Sequence, residues 1–336
     1  MRWMSPLPLG TALRRGAWIA IANWPVVIID FAIESLYTVV LAVPVIGGAF
    51  MVAVLLGADV RQIVAEGVRA TADLVIGSLT AAPIALAAFL VALALVGLGG
   101  AMLMHIIKAG TLSVLVAGDR IGGEFHRGPI SRLALRPAAA FSLATVVGGA
   151  RRFGRRTITL TLWLGVAYLI VGAGMALVIA LQSRLAASRW APAWPLLLLI
   201  ATSASAVAIT VINVVFDLVR MVVVTDDCRT REAARRLRTF VIADARQVLG
   251  IFGVMTAVLA VTTAASLTAV ASVTLVAWVP IAGLIVVPLQ IIAWLVRGVL
   301  LQCVSLTAIA AYQTQYRRFS EPRAVPDAPA AWIQQA

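Results

Sequence analysis

Two acidic residues, Asp30 and Glu34, lie within a long apolar stretch that begins near Trp24. Because they are four residues apart, a helix would place both carboxylates on one face. A charged side chain inside a membrane-spanning segment is costly, and such residues usually pair with each other or mark a path for ions, protons or ligands. This pair is therefore the strongest candidate for chemistry in the chain.

Further charged residues recur near the ends of later apolar stretches. Arg220 follows Asp217 by three residues, so the two can pair on one helix. If the helices form one bundle, these groups could meet the acids and bind an ion or an anionic headgroup, or relay protons. The alternative is that these charges form structural ion pairs, or that the Lys and Arg side chains extend to the membrane–water interface and have no further role. The candidate intramembrane polar site comprises Asp30, Glu34, Lys108, Asp217, Arg220 and Arg297.

No motif in the sequence indicates a reaction. The two histidines, His105 and His126, have no metal-site spacing around them. The chain has no Gly-x-Ser-x-Gly sequence and no phosphate-binding loop that ends in Gly-Lys-Ser/Thr. We therefore expect no catalytic residues, no metal, no cofactor and no enzyme activity.

The composition indicates a membrane protein. Hydrophobic residues make up 62% of the 336 residues and charged residues only 12%, whereas soluble domains are about half apolar and a quarter charged. No charge occurs between Arg246 and Arg297, which is room for two spans of roughly 20 residues. Lipid is therefore the expected solvent for most of the chain.

We predict an all-α integral membrane protein with one domain at 1–318 and a disordered tail at 319–336. Interfacial amphipathic helices are expected at 58–80 and around 138–153. Pro44 and the glycines at 97–100 could each break a span. The six transmembrane helices are predicted at about 24–56, 82–107, 157–183, 195–217, 248–270 and 282–304.

Small residues four positions apart within the spans favour close helix packing. The pairs are Gly97 with Ala101, Gly253 with Ala257, and Ala260 with Ala264.

The spans also suggest a threefold hairpin repeat. Lys108, Arg220 and Arg297 each follow two aliphatic residues near the end of an even-numbered span. Paired arginines precede each odd-numbered span. The alternative is coincidence, since arginine gathers at cytoplasmic helix ends in any case.

The distribution of positive charge indicates orientation. Of the 27 Lys and Arg residues, 20 lie in the terminal regions and in two loops, 118–156 and 226–247. This pattern places those regions on the cytoplasmic side of the inner (plasma) membrane, with both termini inside. It also favours contact with anionic lipid headgroups over binding of nucleic acid, despite a net charge of +13.

Several short sequences are similar to those of a known group of proteins. Residues 12–16 lead into Asn23-Trp24-Pro25, glycines follow the second span at Gly110 and Gly118, and Arg152-Phe153 precedes the third. In these features and in layout the chain resembles bacterial six-span membrane proteins that include the membrane domain of glycerophosphodiester phosphodiesterases. The catalytic barrel of that family would need some 200 or more further residues. The resemblance therefore implies a membrane domain and does not carry over an activity.

Three functions are compatible with the sequence. The first is a non-enzymatic subunit, scaffold or lipid-contacting factor, with protein partners or a second copy of the chain as its possible contacts. The second is a transporter or channel for a small or anionic solute that uses the intramembrane charges. The third, a lipid-modifying enzyme, is disfavoured because no acid/base set lies at an interface.

Overall fold

The structure is a computed structural model that describes residues 8–48, 51, 82–122, 138–185, 193–276 and 282–320. The amphipathic helix expected at 58–80 lies outside the described residues, as does most of the expected tail. The end of the predicted first span also lies outside them, apart from residue 51.

The described residues are almost entirely helical, and no strand occurs among them. Six of the helices are long and apolar enough to cross a membrane, which confirms the prediction of an all-α, six-span protein. The helices are α1 (Leu9–Ala22), α2 (Trp24–Ala42), α3 (Pro83–Ile121), α4 (Leu143–Leu185), α5 (Trp194–Asp226), α6 (Thr230–Ala243), α7 (Ala245–Val276) and α8 (Ala282–Ser320).

Several helices are far longer than a membrane requires. The helices α3 and α8 have 39 residues each, and α4 has 43. At helical rise a 39-residue helix is about 58 Å long, nearly twice the roughly 30 Å of bilayer hydrocarbon. The helices therefore extend well beyond the membrane on the side that holds the arginine-rich segments.

These extensions pack together into what we call the basic end. Most of the buried residues of the described chain lie in it. The opposite part, which we call the lipid-facing half, exposes large apolar side chains along all its helices, as lipid contact requires. The basic end comprises α1, 109–121 of α3, 143–157 of α4, 218–226 of α5, α6 and 302–320 of α8; the lipid-facing half comprises 83–107, 158–181, 194–217 and 288–301.

Glycines allow the closest helix contacts in the basic end. An added Cβ at Gly16 of α1 would lie 2.5 Å from the Thr307 carbonyl oxygen of α8. One at Gly110 of α3 would overlap the carbonyl oxygen of Val146 in α4. Two of the small residues that were expected at close helix contacts are not crowded. An added Cβ at Gly97 would make only an ordinary van der Waals contact with Leu41, and one at Gly253 would have nothing within 4 Å. Close approaches also occur in the lipid-facing half, where an added Cβ at Gly100 would lie 2.9 Å from the ring of Tyr37 and one at Gly298 would overlap the ring of Phe31.

The segment at 138–153 differs from expectation. Its helix is not a separate one on the leaflet but forms the first turns of α4, which continues without a break across the membrane. The turn before α4 is fixed by Asn23, whose side-chain amide donates to the Ala138 carbonyl at 2.9 Å and accepts from the Ala140 amide at 2.9 Å. The arginines of this segment suggested a loop, but they lie on the part of α4 that extends beyond the membrane.

The two possible helix breaks have different outcomes. At Pro44 the chain adopts a π-helical turn, Val43–Gly48, directly after α2. At the glycines of 97–100, α3 continues as a regular helix. The helix α2 packs against α3, α4 against α5, and α7 against α8, but α3 packs most extensively against α4, so the packing does not single out three hairpins. The sequence repeat itself stays a prediction.

Candidate functional site

Asp30 is held between α2 and α3. Its side chain is almost completely buried, with the residue 3% exposed. The Thr111 hydroxyl donates to Asp30 Oδ1 at 2.8 Å. Further along α2 the Tyr37 hydroxyl donates to the Gly97 carbonyl at 3.2 Å, so the two helices run antiparallel. Asp30 therefore lies opposite a part of α3 that belongs to the basic end.

Glu34, one turn further along α2, forms an ion pair with Lys108 of α3. The Glu34 side chain is 41% exposed and that of Lys108 is mostly covered. Lys108 is also close enough to Asp30 to interact with it electrostatically. The two acids predicted from the sequence are thus placed together, and a cation from the neighbouring span lies beside both.

Arg220 of α5 forms the other half of the cluster. Its Nη2 donates to Asp217 Oδ1 at 2.5 Å, and its Nη1 lies 3.0 Å from the Nδ1 of His105 on α3. Arg220 also interacts electrostatically with Asp30. Five of the six predicted site residues therefore form one cluster across α2, α3 and α5, and His105 and Thr111 complete it.

Arg297 of α8 is the predicted site residue that the structure does not bring into the cluster. Its Nε atom is buried without a hydrogen-bond partner, and no ion pair to it occurs in the described part of the chain. Its neighbour Gly298 packs against the ring of Phe31 on α2. Arg297 is therefore near α2 but separate from the ion pairs.

The cluster lies at the edge of the membrane on the basic side. Lys108 comes 25 residues after Pro83, the first residue of α3, and Arg220 comes 26 residues after Trp194, the first of α5. A helical segment of that length spans about 38 Å, which exceeds the hydrocarbon thickness. From Ala109 on α3 and from Leu218 on α5, the helices are buried in the basic end. Headgroups and water are thus within reach of the cluster.

A small cleft adjoins Arg220 between α3, α4 and α5. Its polar lining consists of His105, Thr157, Thr161, Asn213, Asp217 and Arg220. Its volume of about 20 Å³ leaves room for about one water molecule. An organic substrate does not fit there, whereas a single water or small ion does.

A second buried acid, Asp119, was missed by the sequence analysis. Its side chain is 1% exposed and lies at the end of α3, between Arg15 of α1 at 2.8 Å and Arg317 of α8 at 2.5 Å. The Thr314 hydroxyl is 3.3 Å away. Because these partners are 104 and 198 residues from Asp119, no local pattern reveals them. An acid at the start of the arginine-rich segment 118–156 was the available signal.

Two further acids organise the end of α5. Asp226 accepts from Arg236 at 2.7 Å and from the Tyr316 hydroxyl at 2.5 Å. Asp227 ends the helix with a left-handed backbone (φ 50°) and accepts from Arg152 and Arg156 of α4. These two hydrogen bonds hold the pKa of Asp227 below its ordinary value. The acids thereby fix α4, α6 and α8 around α5.

The chemistry available to these groups is charge pairing and hydrogen bonding. Within the described residues, no three His, Cys, Asp or Glu side chains come together where they could hold a metal ion. Comparisons with protein-family models, with curated proteins and with solved structures each gave no match. The resemblance to the membrane domain of the phosphodiesterases therefore stays a prediction.

Proposed function

We propose that this chain is a non-enzymatic integral membrane protein that serves as a membrane-complex subunit, scaffold or lipid-contacting factor. Its basic end would lie on the cytoplasmic side of the plasma membrane, as the positive-inside rule requires. The observation that carries the proposal is the location of the packed core. It lies mainly in the basic end, where the helices extend past the length that a bilayer requires and would be accessible to partners.

The geometry of the polar cluster supports this function over transport. Asp30 is enclosed by Thr111, and Glu34 is paired with Lys108. Arg220 is paired with Asp217. These pairs neutralise the charges at the junction between the two halves of the bundle, and the cleft beside Arg220 has room for only about one water.

The helix α6 offers the best surface for a partner. It buries Ala233, Leu237 and Phe240 on one face. The other face exposes three arginines, at 231, 235 and 238, and none of these forms an ion pair in the described structure. A face of unpaired cations favours an acidic partner surface or anionic headgroups.

Photo-crosslinking in intact membranes tests the proposal. A photoreactive amino acid would replace Arg235 on α6 or, as the control, Leu169 in the lipid-facing half. We expect protein adducts of a few defined masses at position 235, lost when Arg231→Gln and Arg238→Gln are added and kept with Arg231→Lys and Arg238→Lys. If only lipid adducts form at position 235, the protein is a lipid-contacting factor at this surface and not a scaffold for a protein partner. The same adducts at both positions would contradict the proposal.

One observation favours transport as a second candidate. A nearly fully buried carboxylate, Asp30, lies within electrostatic range of Lys108 and Arg220. Arg220 in turn lines a cleft that can hold one water. Purified protein in vesicles should then carry protons or chloride, and Asp30→Asn should abolish that flux. The variant Asp244→Asn makes the same change at an acid bonded to Gln315, away from the cluster. Flux no greater than that of protein-free vesicles would exclude transport of these ions.

A further inference from the structure

A groove runs along the outer side of the contact between α3 and α4. Its walls are almost entirely apolar, and its volume is about 370 Å³. That volume is within the usual range for small-molecule sites, which is about 300–1,000 Å³. The apolar residues that line it are Ile106, Ile107, Val146, Val147, Ala150 and Ile158.

The groove crosses the boundary between the two halves of the molecule. Ile106 and Ile158 belong to the lipid-facing half, whereas Val147 and Ala150 belong to the basic end. Gly154 of α4 lies opposite Ile106 and leaves the floor open. Lys108, which marks the membrane edge, follows Ile107 directly. An acyl chain could therefore enter the groove from the bilayer without leaving its own leaflet.

Two arginines, Arg151 and Arg155, line the same groove. They are four residues apart on one exposed face of α4, so both guanidinium groups can reach one anion. Neither guanidinium group has an ion pair or hydrogen bond with the described residues. Their neighbours Arg152 and Arg156 differ, because both are bonded to Asp227. The chain thus pairs two arginines of this segment and leaves the two at the groove available.

We propose that this groove binds an anionic phospholipid of the leaflet at the basic end. The acyl chain lies against the isoleucines and valines, and the phosphate lies between Arg151 and Arg155. Guanidinium groups bind phosphate oxygens through two parallel hydrogen bonds, which makes arginine well suited to this position. The apolar walls favour a lipid over a free phosphate. The inference deepens the lipid-contacting part of the proposed function and rests on it.

Native mass spectrometry of the purified protein tests the site. The probes are phosphatidylglycerol and phosphatidylcholine with identical acyl chains, each titrated into the detergent-solubilised protein. We expect the first phosphatidylglycerol to bind at least tenfold more tightly than phosphatidylcholine. In Arg151→Gln/Arg155→Gln this preference should fall to less than threefold. The matched control Arg229→Gln/Arg246→Gln removes the same charge at two exposed positions outside the groove, and it should keep the preference. A third variant, Arg231→Gln/Arg235→Gln, removes the same charge from the exposed face of α6.

Two further measurements separate a lipid from other occupants. Soluble glycerol phosphate, which has the headgroup chemistry without acyl chains, should not displace the bound phosphatidylglycerol. Filling the groove with Ala150→Trp should remove tight binding, and Val147→Trp at a more exposed position provides the same test if the first variant does not fold. Displacement by glycerol phosphate, or unchanged binding in a folded tryptophan variant, would overturn the proposal.

The outcomes also separate this site from the proposed function. If the preference for phosphatidylglycerol persists in the Arg151/Arg155 variant and disappears in the Arg231/Arg235 variant, the protein contacts anionic lipid but not through this groove. If wild type binds both lipids equally, both the site and a headgroup-selective lipid contact are excluded. Loss of protein adducts at α6 with intact lipid binding would exclude the scaffold alone.

Discussion

The two halves of this protein are built from the same helices but have opposite relations to their surroundings. On α3, Ile84 in the lipid-facing half is 86% exposed, whereas Val114 in the basic end is 0% exposed. Lipid solvates apolar side chains as well as a protein interior does, so the lipid-facing half has little to gain from burying them. In the basic end, water drives burial. The comparison teaches that the stability of the packed tertiary structure resides mainly where the helices have left the membrane.

The largest difference between the halves is expected from truncation of an aromatic side chain. Phe240 is fully buried and contacts Tyr316 edge-on, with ring centroids 5.4 Å apart. Phe240→Ala should lower the free energy of unfolding by about 3–5 kcal/mol. Leu169→Ala, at an exposed lipid-facing position, should change it by less than about 0.5 kcal/mol. Reversible unfolding in mixed micelles measures both, and equal losses would show that the two halves are equally packed.

The next largest effect is expected at the buried ion pairs of the basic end. Asp119→Asn leaves Arg15 and Arg317 without their shared carboxylate, and loss of one partner of a buried pair costs about 3 kcal/mol. The matched control Glu232→Gln removes an acid from an exposed pair with Arg236 and should cost about 0.3–0.5 kcal/mol. The same unfolding assay applies. A control loss as large as that of Asp119→Asn would mean that burial does not set the cost.

A smaller effect is expected at the crossing of α3 and α4. A Cβ at Gly149 would lie 2.8 Å from the Ser113 Cβ and would overlap its hydroxyl oxygen. Gly149→Ala should therefore destabilise the protein by about 1–3 kcal/mol. Gly165 lies on the same helix with nothing within 4 Å, so Gly165→Ala should be neutral or stabilising, by at most about 1 kcal/mol. If thermal unfolding shows equal stability for the two variants, α3 and α4 can move apart at their crossing without loss of stability.

The smallest effect concerns pH. Hydrogen bonds from Arg152 and Arg156 hold the pKa of Asp227 below its ordinary value of 3.8. The stability gained is therefore complete above pH 3.8 and is lost as the pH falls through the lower folded-state pKa. Since the pair is exposed, the gain should be under about 1 kcal/mol. Wild type and Asp227→Asn should differ in unfolding free energy at pH 6, and the difference should shrink as the pH falls below 3.8. If the difference grew toward low pH, the pKa of Asp227 would be raised by folding and not lowered.

Hydropathy and charge predicted the membrane-spanning helices and most of the polar cluster, because both signals are local. Uncharged stretches mark spans, and Asp30 and Glu34 stand out within one. The continuity of α4 was not predictable in this way, since Arg151 and Arg152 look like loop residues until the helix is known to extend beyond the bilayer. Asp119 was missed because its partners are distant in sequence.

The contact between the first and last helices has a consequence for biosynthesis. A chain is released from the ribosome N-terminus first, so α1 emerges long before α8, against which Gly16 packs. Arg317 follows its partner Asp119 by 198 residues. Until translation is nearly finished, the α8-facing side of α1 is uncovered and Asp119 has only one of its two arginines. Completion of the last helix therefore closes the structure, and an unfinished copy carries an open apolar face that membrane proteases can recognise.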